Sequence, residues 1–424
     1  MWRTRVEERG TESRPLEEAL AGVFRDAARM EAAERQLIAA AAEEPIIADA
    51  YLTPQSPPHH AEGPFMDAHL RRMLATLAAV GDGSLRLADI EEFRRLRHFE
   101  GEIDELEQAM RERQSLFEAF ILCHDAAKFS TAACVADPGT RGAELGFSLA
   151  PSAAWDERGA AERSLLRRRF ADLFHAFASE RRGQSPEALE AAFFDAYGIR
   201  VHYAGHDRMM HAPAYRALLE RVAGRRRLPE TDIDLLEDLI AYHLQPLRDF
   251  SDEGPSVGAG EARPERIARY VAVAHDRGWD ADDFLDLLQA CVFLDYVAGA
   301  RRRERGRAWQ DAGVLVRFLV SEHAHAPEKR VQKNRERAQE HKRQRQNLYR
   351  QAGLDGLALL DLFKMEPGPA FGRLLARVYD AAEGRAPLPA LPAPAARELA
   401  RRLEAYAQGE KSGVRSQELG RRTL

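Results

Sequence analysis

Apolar residues recur at three- and four-residue intervals through most of the chain, and β-branched alternation is almost absent, so the pattern predicts an all-α protein. Residues 16–44 (LEEALAGVFRDAARMEAAERQLIAAAAEE) read as one or two helices. The stretch 51–64, YLTPQSPPHHAEGP, interrupts them with four prolines and a glycine, and predicts a linker at the end of an N-terminal segment, 1–58. Helical spacing resumes at Phe65 and runs to about Phe129. Residues 131–155, rich in small residues, glycine and proline, read as a loop, and 157–197 as helical again. The main helical domain therefore spans 59–300, with 131–200 as an insertion. Beyond it the pattern predicts a basic helical linker (301–352), a C-terminal helical module (353–408) and a disordered tail (409–424).

Against this apolar frame a few polar residues stand out. LFEAFILCHDAAKFS (116–130) ends an apolar helical run with His124, Asp125 and Lys128. An imidazole or carboxylate buried there without partners costs several kcal/mol, against a total stability of about 5–15 kcal/mol. His69 shares a helix face with Phe65 and Met73, four residues to either side. His243 follows Leu239 by four and Ile240 by three, and Asp295 stands in the same relation to Cys291 and Val292. A single inward histidine is more often a hydrogen-bonded core residue than a ligand. Five such burials in one domain instead favour divalent metal, since imidazole and carboxylate suit zinc, iron, manganese or nickel.

Composition narrows the setting. The 424 residues are long enough for two or three domains, and 45% hydrophobic content is ordinary for a globular chain. Three cysteines, Cys123, Cys134 and Cys291, show no CxxC spacing and suit a reducing compartment. The N-terminus lacks an apolar signal core and no long uncharged apolar run occurs, so a cytoplasmic location without membrane contact is expected. A net charge of −6 gives no global attraction to nucleic acid. Local attraction remains available in EKRVQKNRERAQEHKRQRQNLYRQ (328–351), with nine Lys or Arg against three Glu. It reads as a solvated helix, a linker or an RNA contact through Arg335, Arg337, Lys342 and Arg343. Phosphate-loop, dinucleotide-binding and nucleophile-elbow motifs are missing.

The order of these residues resembles the HD-domain metal-dependent phosphohydrolase superfamily, over roughly residues 60–300. The strongest matches are EGPFMDAH, CHDAAK and IAYHLQP. The resemblance implies that His69, His124, Asp125 and Asp295 hold one divalent ion and that Asp125 bridges to a second, held by His206 and His243. Manganese, iron, nickel, zinc or magnesium fits such a set. His202 and His211 compete with His206, which is preferred for the family position and for the Ala204-Gly205 pair before it, small enough for close backbone approach. His275-Asp276 borders a polar helix end and reads as structural. Asp125 takes the central catalytic position, and Lys128, three residues on, either places an ammonium near a phosphate or snorkels at the helix end. About 80 residues separate the His-Asp pair from His206, more than in short HD domains, and predict a cap over the site.

The segment LDGLALLDLFKMEPGPAFGRLLARVYDAAEG resembles the region following the HD domain in bacterial tRNA nucleotidyltransferases and poly(A) polymerases. Their catalytic head has no counterpart, because only about 60 residues precede the HD region. Gly83-Ser84 followed by Asp89-Ile90-Glu91 is spaced too closely for their acidic signature and reads as coincidence. The resemblance thus implies a phosphodiesterase or phosphatase acting on a nucleotide or RNA-end phosphate, including 2′,3′-cyclic phosphates. The alternatives are a nucleotidase or dNTP triphosphohydrolase, and an RNA-binding protein with a structural metal centre.

Overall fold

A computed structural model describes residues 15–56, 60, 62–94, 100–147, 159–203, 205–206, 208–250, 263–299, 313–325, 343, 346–382 and 391–420. The chain folds as two units, Met1–His325 and Ala326–Leu424. In the first, α1 (Leu16–Arg25) buries Leu16, Ala19, Leu20 and Val23, one stripe of an amphipathic helix. Asp26 caps α2 (Ala27–Glu43) by accepting from the Arg29 amide. Pro45 opens α3 (Pro45–Tyr51), where its missing N–H costs nothing. There follow α4 (Met66–Gly81), the single turn α5 (Glu91–Arg94), α6 (Glu100–Glu112), α7 (Gln114–Cys123) and the single turn α8 (Lys128–Thr131).

The insertion contributes β1 (Ala132–Ala136), α9 (Ala160–Ser179), α10 (Pro186–Tyr197) and β2 (Ile199–Tyr203). The unit closes with α11 (Pro213–Arg225), α12 (Glu230–Tyr242), α13 (Leu244–Asp249), α14 (Pro264–Arg277), α15 (Ala281–Ala298) and α16 (Gly313–His325). Helix α15 is buried at every residue from Phe284 to Ala298, as a nearly all-round apolar helix at the centre of a bundle must be. It packs on α4, α6, α12, α13, α14 and α16. The class is all-α, and the described residues hold a single sheet of two strands.

Four sequence expectations need revision. The segment 1–58 is no separate element, since Leu16, Leu20, Leu37 and Ile47 belong to the same core as α4 and α15. The proline-rich linker is built in: Met66 N donates to Thr53 O, Gln55 N to Pro64 O, and the Val201 amide to Ser56 Oγ. The main unit does not stop at 300, because Leu315, Phe318 and Leu319 of α16 join its core; the apolar GVLVRFLV was hidden between polar stretches. Part of the 131–155 loop is a strand: β1 pairs antiparallel with β2, Ala132 opposite Tyr203 and Ala136 opposite Ile199. All five residues of β1 are buried, so it carries no alternation to read.

The insertion has its own apolar core of Phe147, Phe170, Phe174, Phe193 and Tyr197. Gly198 ends α10 at φ 64°, and a Cβ there would stand 2.7 Å from Thr140, so glycine is required twice over.

In the second unit, Asp355 caps α17 (Gly356–Phe363) through the Leu357 and Ala358 amides. Pro367-Gly368-Pro369 separates it from α18 (Pro369–Ala382), and α19 spans Ala393–Gly420. Helix thus enters the segment expected as a disordered tail from 409, because its polar, charged residues also suit a solvated helix. Leu359, Phe371, Val378 and Leu399 form the core, and Tyr349 stacks on Tyr379 and Tyr406 at 4.4 and 4.9 Å between ring centroids. Arg335, Arg337 and Lys342 lie outside the described residues, while Arg343 is an exposed helical position.

Candidate metal centre

Four helices, α4, α7, α12 and α15, and the end of β2 deliver the site. Helices α7 and α12 both terminate on histidine, His124 and His243, and the last carbonyls of a helix lack intrahelical donors. Each imidazole fills that gap with its own Nδ1–H, His124 to Ile121 O at 3.1 Å and His243 to Ile240 O at 2.6 Å. His206 repeats the device past β2, donating from Nδ1 to Tyr203 O at 2.9 Å. A carbonyl can only accept, so Nδ1 carries the proton in all three rings. The Nε2 lone pair of a neutral ring is then free for a metal.

The fourth histidine, His69 on α4, has a carboxylate in place of the carbonyl. Its Nδ1 donates to Glu62 Oε1 at 3.0 Å, and Glu62 also accepts from His60 Nδ1 at 2.9 Å. Its Nε2 lies 2.9 Å from Asp295 Oδ1. Phe120 fixes the neighbouring rings, stacked on His124 at 4.9 Å and edge-on to His243 at 5.7 Å.

These orientations bring all six sequence-predicted ligands together. His124 Nε2 stands 3.1 Å from Asp125 Oδ2 and 3.8 Å from Asp295 Oδ1. On the other side of the same carboxylate, His206 Nε2 is 3.4 Å from Asp125 Oδ1. His69, His124 and Asp125 form one group whose donor atoms lie within 4.8 Å of one another, and Asp125, His206 and His243 form another. Two donors each about 2.1 Å from one ion are about 3.0 Å apart at a right angle and about 3.4 Å apart at a tetrahedral angle. The observed separations bracket those values, so the donor set fits divalent metal, with one oxygen of Asp125 turned to each half.

The polar atoms are otherwise stranded. Nε2 of His124, His206 and His243 and Oδ1 of Asp125 are buried and make no hydrogen bond, while Oδ2 of Asp125 has the Lys128 ammonium 2.7 Å away. Native proteins rarely leave four such atoms in one place. Burial by itself would raise the Asp125 pKa, but His124 and Lys128 outweigh it and hold the carboxylate well below its usual range. Asp295 is likewise held low against burial by His69. Burial opposes protonation of His69 too, yet its bonds to Asp295 and Glu62 push it up to about 9. His243, with no such partner, is brought down to about 4 by burial and keeps its lone pair at neutral pH.

Lys128 does not snorkel. It is buried, its Nζ 2.7 Å from Asp125 Oδ2 and 4.9 Å from the centre of the Tyr203 ring. Of the competing histidines, His211 is exposed and paired with Glu237, and His202 lies within β2; neither is in the cluster. Gly205 adopts φ 72° with open space around its Cβ position, so its role is the left-handed turn before His206, not close backbone approach. His275 and Asp276 are exposed at the end of α14.

Sequence reading missed Glu62 and His60, which lay in the stretch taken for a linker, and Glu190 on α10. The only signal for Glu62 was a carboxylate seven residues before His69, two helical turns had the helix extended that far. Glu62→Gln is expected to weaken divalent-metal affinity by about 10- to 100-fold, the usual effect of losing an outer-shell partner. Unchanged affinity in a manganese titration would exclude that role.

Glu190 is 2% exposed, and neither of its oxygens makes a hydrogen bond. Burial, reinforced by the Glu62 charge, raises its pKa well above the usual range. Above about pH 4.3 the unfolded chain gives up this proton and the folded chain keeps it. Stability must therefore fall as pH rises, by up to about 1.4 kcal/mol per unit. Glu190→Gln removes that slope, so its stability relative to the parent is expected to increase from pH 5 to pH 8 in urea melts with EDTA. A difference independent of pH would mean that Glu190 is ionised.

No protein-family model, curated protein or solved structure matches the chain. Among the described residues no helix is long and apolar enough to cross a membrane.

Proposed function

We propose that the first unit is a metal-dependent phosphohydrolase of the HD type, acting as phosphodiesterase or phosphatase on a nucleotide or RNA-end phosphate. One observation carries this reading: four buried imidazoles have Nδ1 committed to an acceptor, and their Nε2 atoms converge on Asp125 and Asp295. His69, His124, Asp125 and Asp295 would hold one divalent ion, and Asp125, His206 and His243 a second. Such ions supply acidification of water, to a pKa of about 7, and neutralisation of charge on a phosphoryl centre. The protein's own part is to hold the rings in one tautomer, to keep Asp125 ionised and to exclude bulk water from the cluster. Lys128 adds a buried ammonium that can pair with a phosphoryl oxygen once Asp125 is otherwise engaged.

The likeness of residues 354–384 to tRNA nucleotidyltransferases directs attention to RNA ends, and 2′,3′-cyclic AMP is the simplest such substrate. Its hydrolysis by the full chain with manganese or nickel, beside His124→Ala/Asp125→Ala, tests the reading. Metal-dependent turnover that disappears in the double variant is the expected result. Metal-independent turnover, or inertness of the metal-loaded protein toward cyclic nucleotides, nucleoside monophosphates and dNTPs alike, would refute it.

A further inference from the structure

The insertion holds a second unsatisfied group, of opposite charge. Arg167 on α9 is 9% exposed, and its Nε and Nη1 are buried without a hydrogen bond. Its guanidinium carbon lies 4.3 Å from the centre of the Phe129 ring. Asp49 acts on it electrostatically but forms no ion pair with it. One turn earlier, Arg163 donates from Nε to Ser130 O at 3.2 Å. One turn later, Phe170 enters the core of the insertion. The stripe Arg163, Arg167, Phe170 therefore presses α9 onto α8 and β1, with the unpaired cation in the middle. The ring that carries Arg167, Phe129, follows Lys128 in the single turn α8, and as helical neighbours the two side chains point in different directions.

A buried guanidinium without an acceptor is costly, and an aromatic face offsets only part of that cost. Nothing in the packing requires a charge here, since Arg167 fixes no backbone carbonyl through the two buried nitrogens. Its planar fork matches two oxygens of a phosphate, which a lysine in the same place would not.

We infer that Arg167 is an anion-recognition residue, held by the insertion to take a phosphate group. The choice of phosphate over another dianion rests on the phosphohydrolase reading, and the shared chemistry is that of orthophosphate and of a nucleoside monophosphate. Recognition here acts on binding and orientation, whereas the six ligands act on metal.

The test is calorimetric titration of the full chain with inorganic phosphate and with AMP, metal-free and manganese-loaded, for the parent, Arg167→Met and Arg167→Lys. Both anions are expected to bind the parent and to lose at least about tenfold in affinity to Arg167→Met, with Arg167→Lys between. Tighter binding of AMP than of phosphate would identify the ester as the natural ligand, and equal binding the free ion. In phosphate-free buffer Arg167→Met should melt no lower than the parent, because it removes an unpaired buried charge. Phosphate affinity within twofold of the parent in both variants would overturn the inference. So would a parent that binds neither anion. Metal content measured in the same samples separates the two claims: a parent without metal counts against the phosphohydrolase reading, while Arg167 is judged on anion binding in the metal-free protein.

Discussion

Asp125→Ala is expected to lose essentially all bound divalent metal and to lower metal-dependent turnover by about 10³-fold or more, equivalent to about 4 kcal/mol of barrier. Among the described residues only Asp125 offers a donor to both halves of the site, Oδ2 toward His124 and Oδ1 toward His206. The variant carries a second, separable defect. Lys128 is buried against Asp125, and removing one partner of such a pair costs about 3–5 kcal/mol because the remaining charge has no counterion. Asp125→Ala should therefore be both inactive and unstable, and Asp125→Ala/Lys128→Met should regain stability without regaining metal. Metal content by plasma mass spectrometry and urea melts on the same samples check both halves. Recovery of metal in the double variant would show that Asp125 is a structural counterion and not a ligand.

The metal-free protein should itself be markedly less stable than the loaded one. Each buried polar atom without a hydrogen bond costs about 1–3 kcal/mol, and four are gathered there, the Nε2 atoms of His124, His206 and His243 and Oδ1 of Asp125. Metal at a thousand times its dissociation constant adds about 4 kcal/mol to the stability of a protein that binds it only when folded. For a unit of this size that is a rise of roughly 5–8 °C in melting temperature, reversed by EDTA. The gain should shrink as pH falls, because protons compete for the same Nε2 atoms. His69 marks the sign: its hydrogen bonds push it up to about 9, so it carries a proton at pH 7 that metal uptake must release. Calorimetry in buffers of different ionisation enthalpy should register that proton. A melting temperature indifferent to EDTA, with no proton released, would mean that the cluster is a metal-free polar core.

How much of this was legible depended on the frame around each residue. His69, His124, His243 and Asp295 sit in periodic apolar helices, where spacing alone fixes which side chains turn inward. His206 lies in a turn after β2 with no such period, and it was singled out only by the family order and by the small residues before it. β1 was unreadable because burial on both faces erases alternation, and with it went the register that sets the end of β2 beside α8. Glu62 and His60 were concealed by four prolines whose composition signals a linker, whereas the backbone there is bonded into the fold. Glu190 and Arg167 were concealed differently. Each is a charged residue on a helix with many, and periodicity does not say which one the neighbouring core will bury.

The most direct test is anomalous diffraction from crystals of the manganese-loaded protein. Two peaks about 3.5–4 Å apart on either side of Asp125, one near His69, His124 and Asp295 and the other near His206 and His243, are the expected result. Peaks confined to surface carboxylates, with His69 still on Asp295 and Lys128 still on Asp125, would contradict a metal centre at this site.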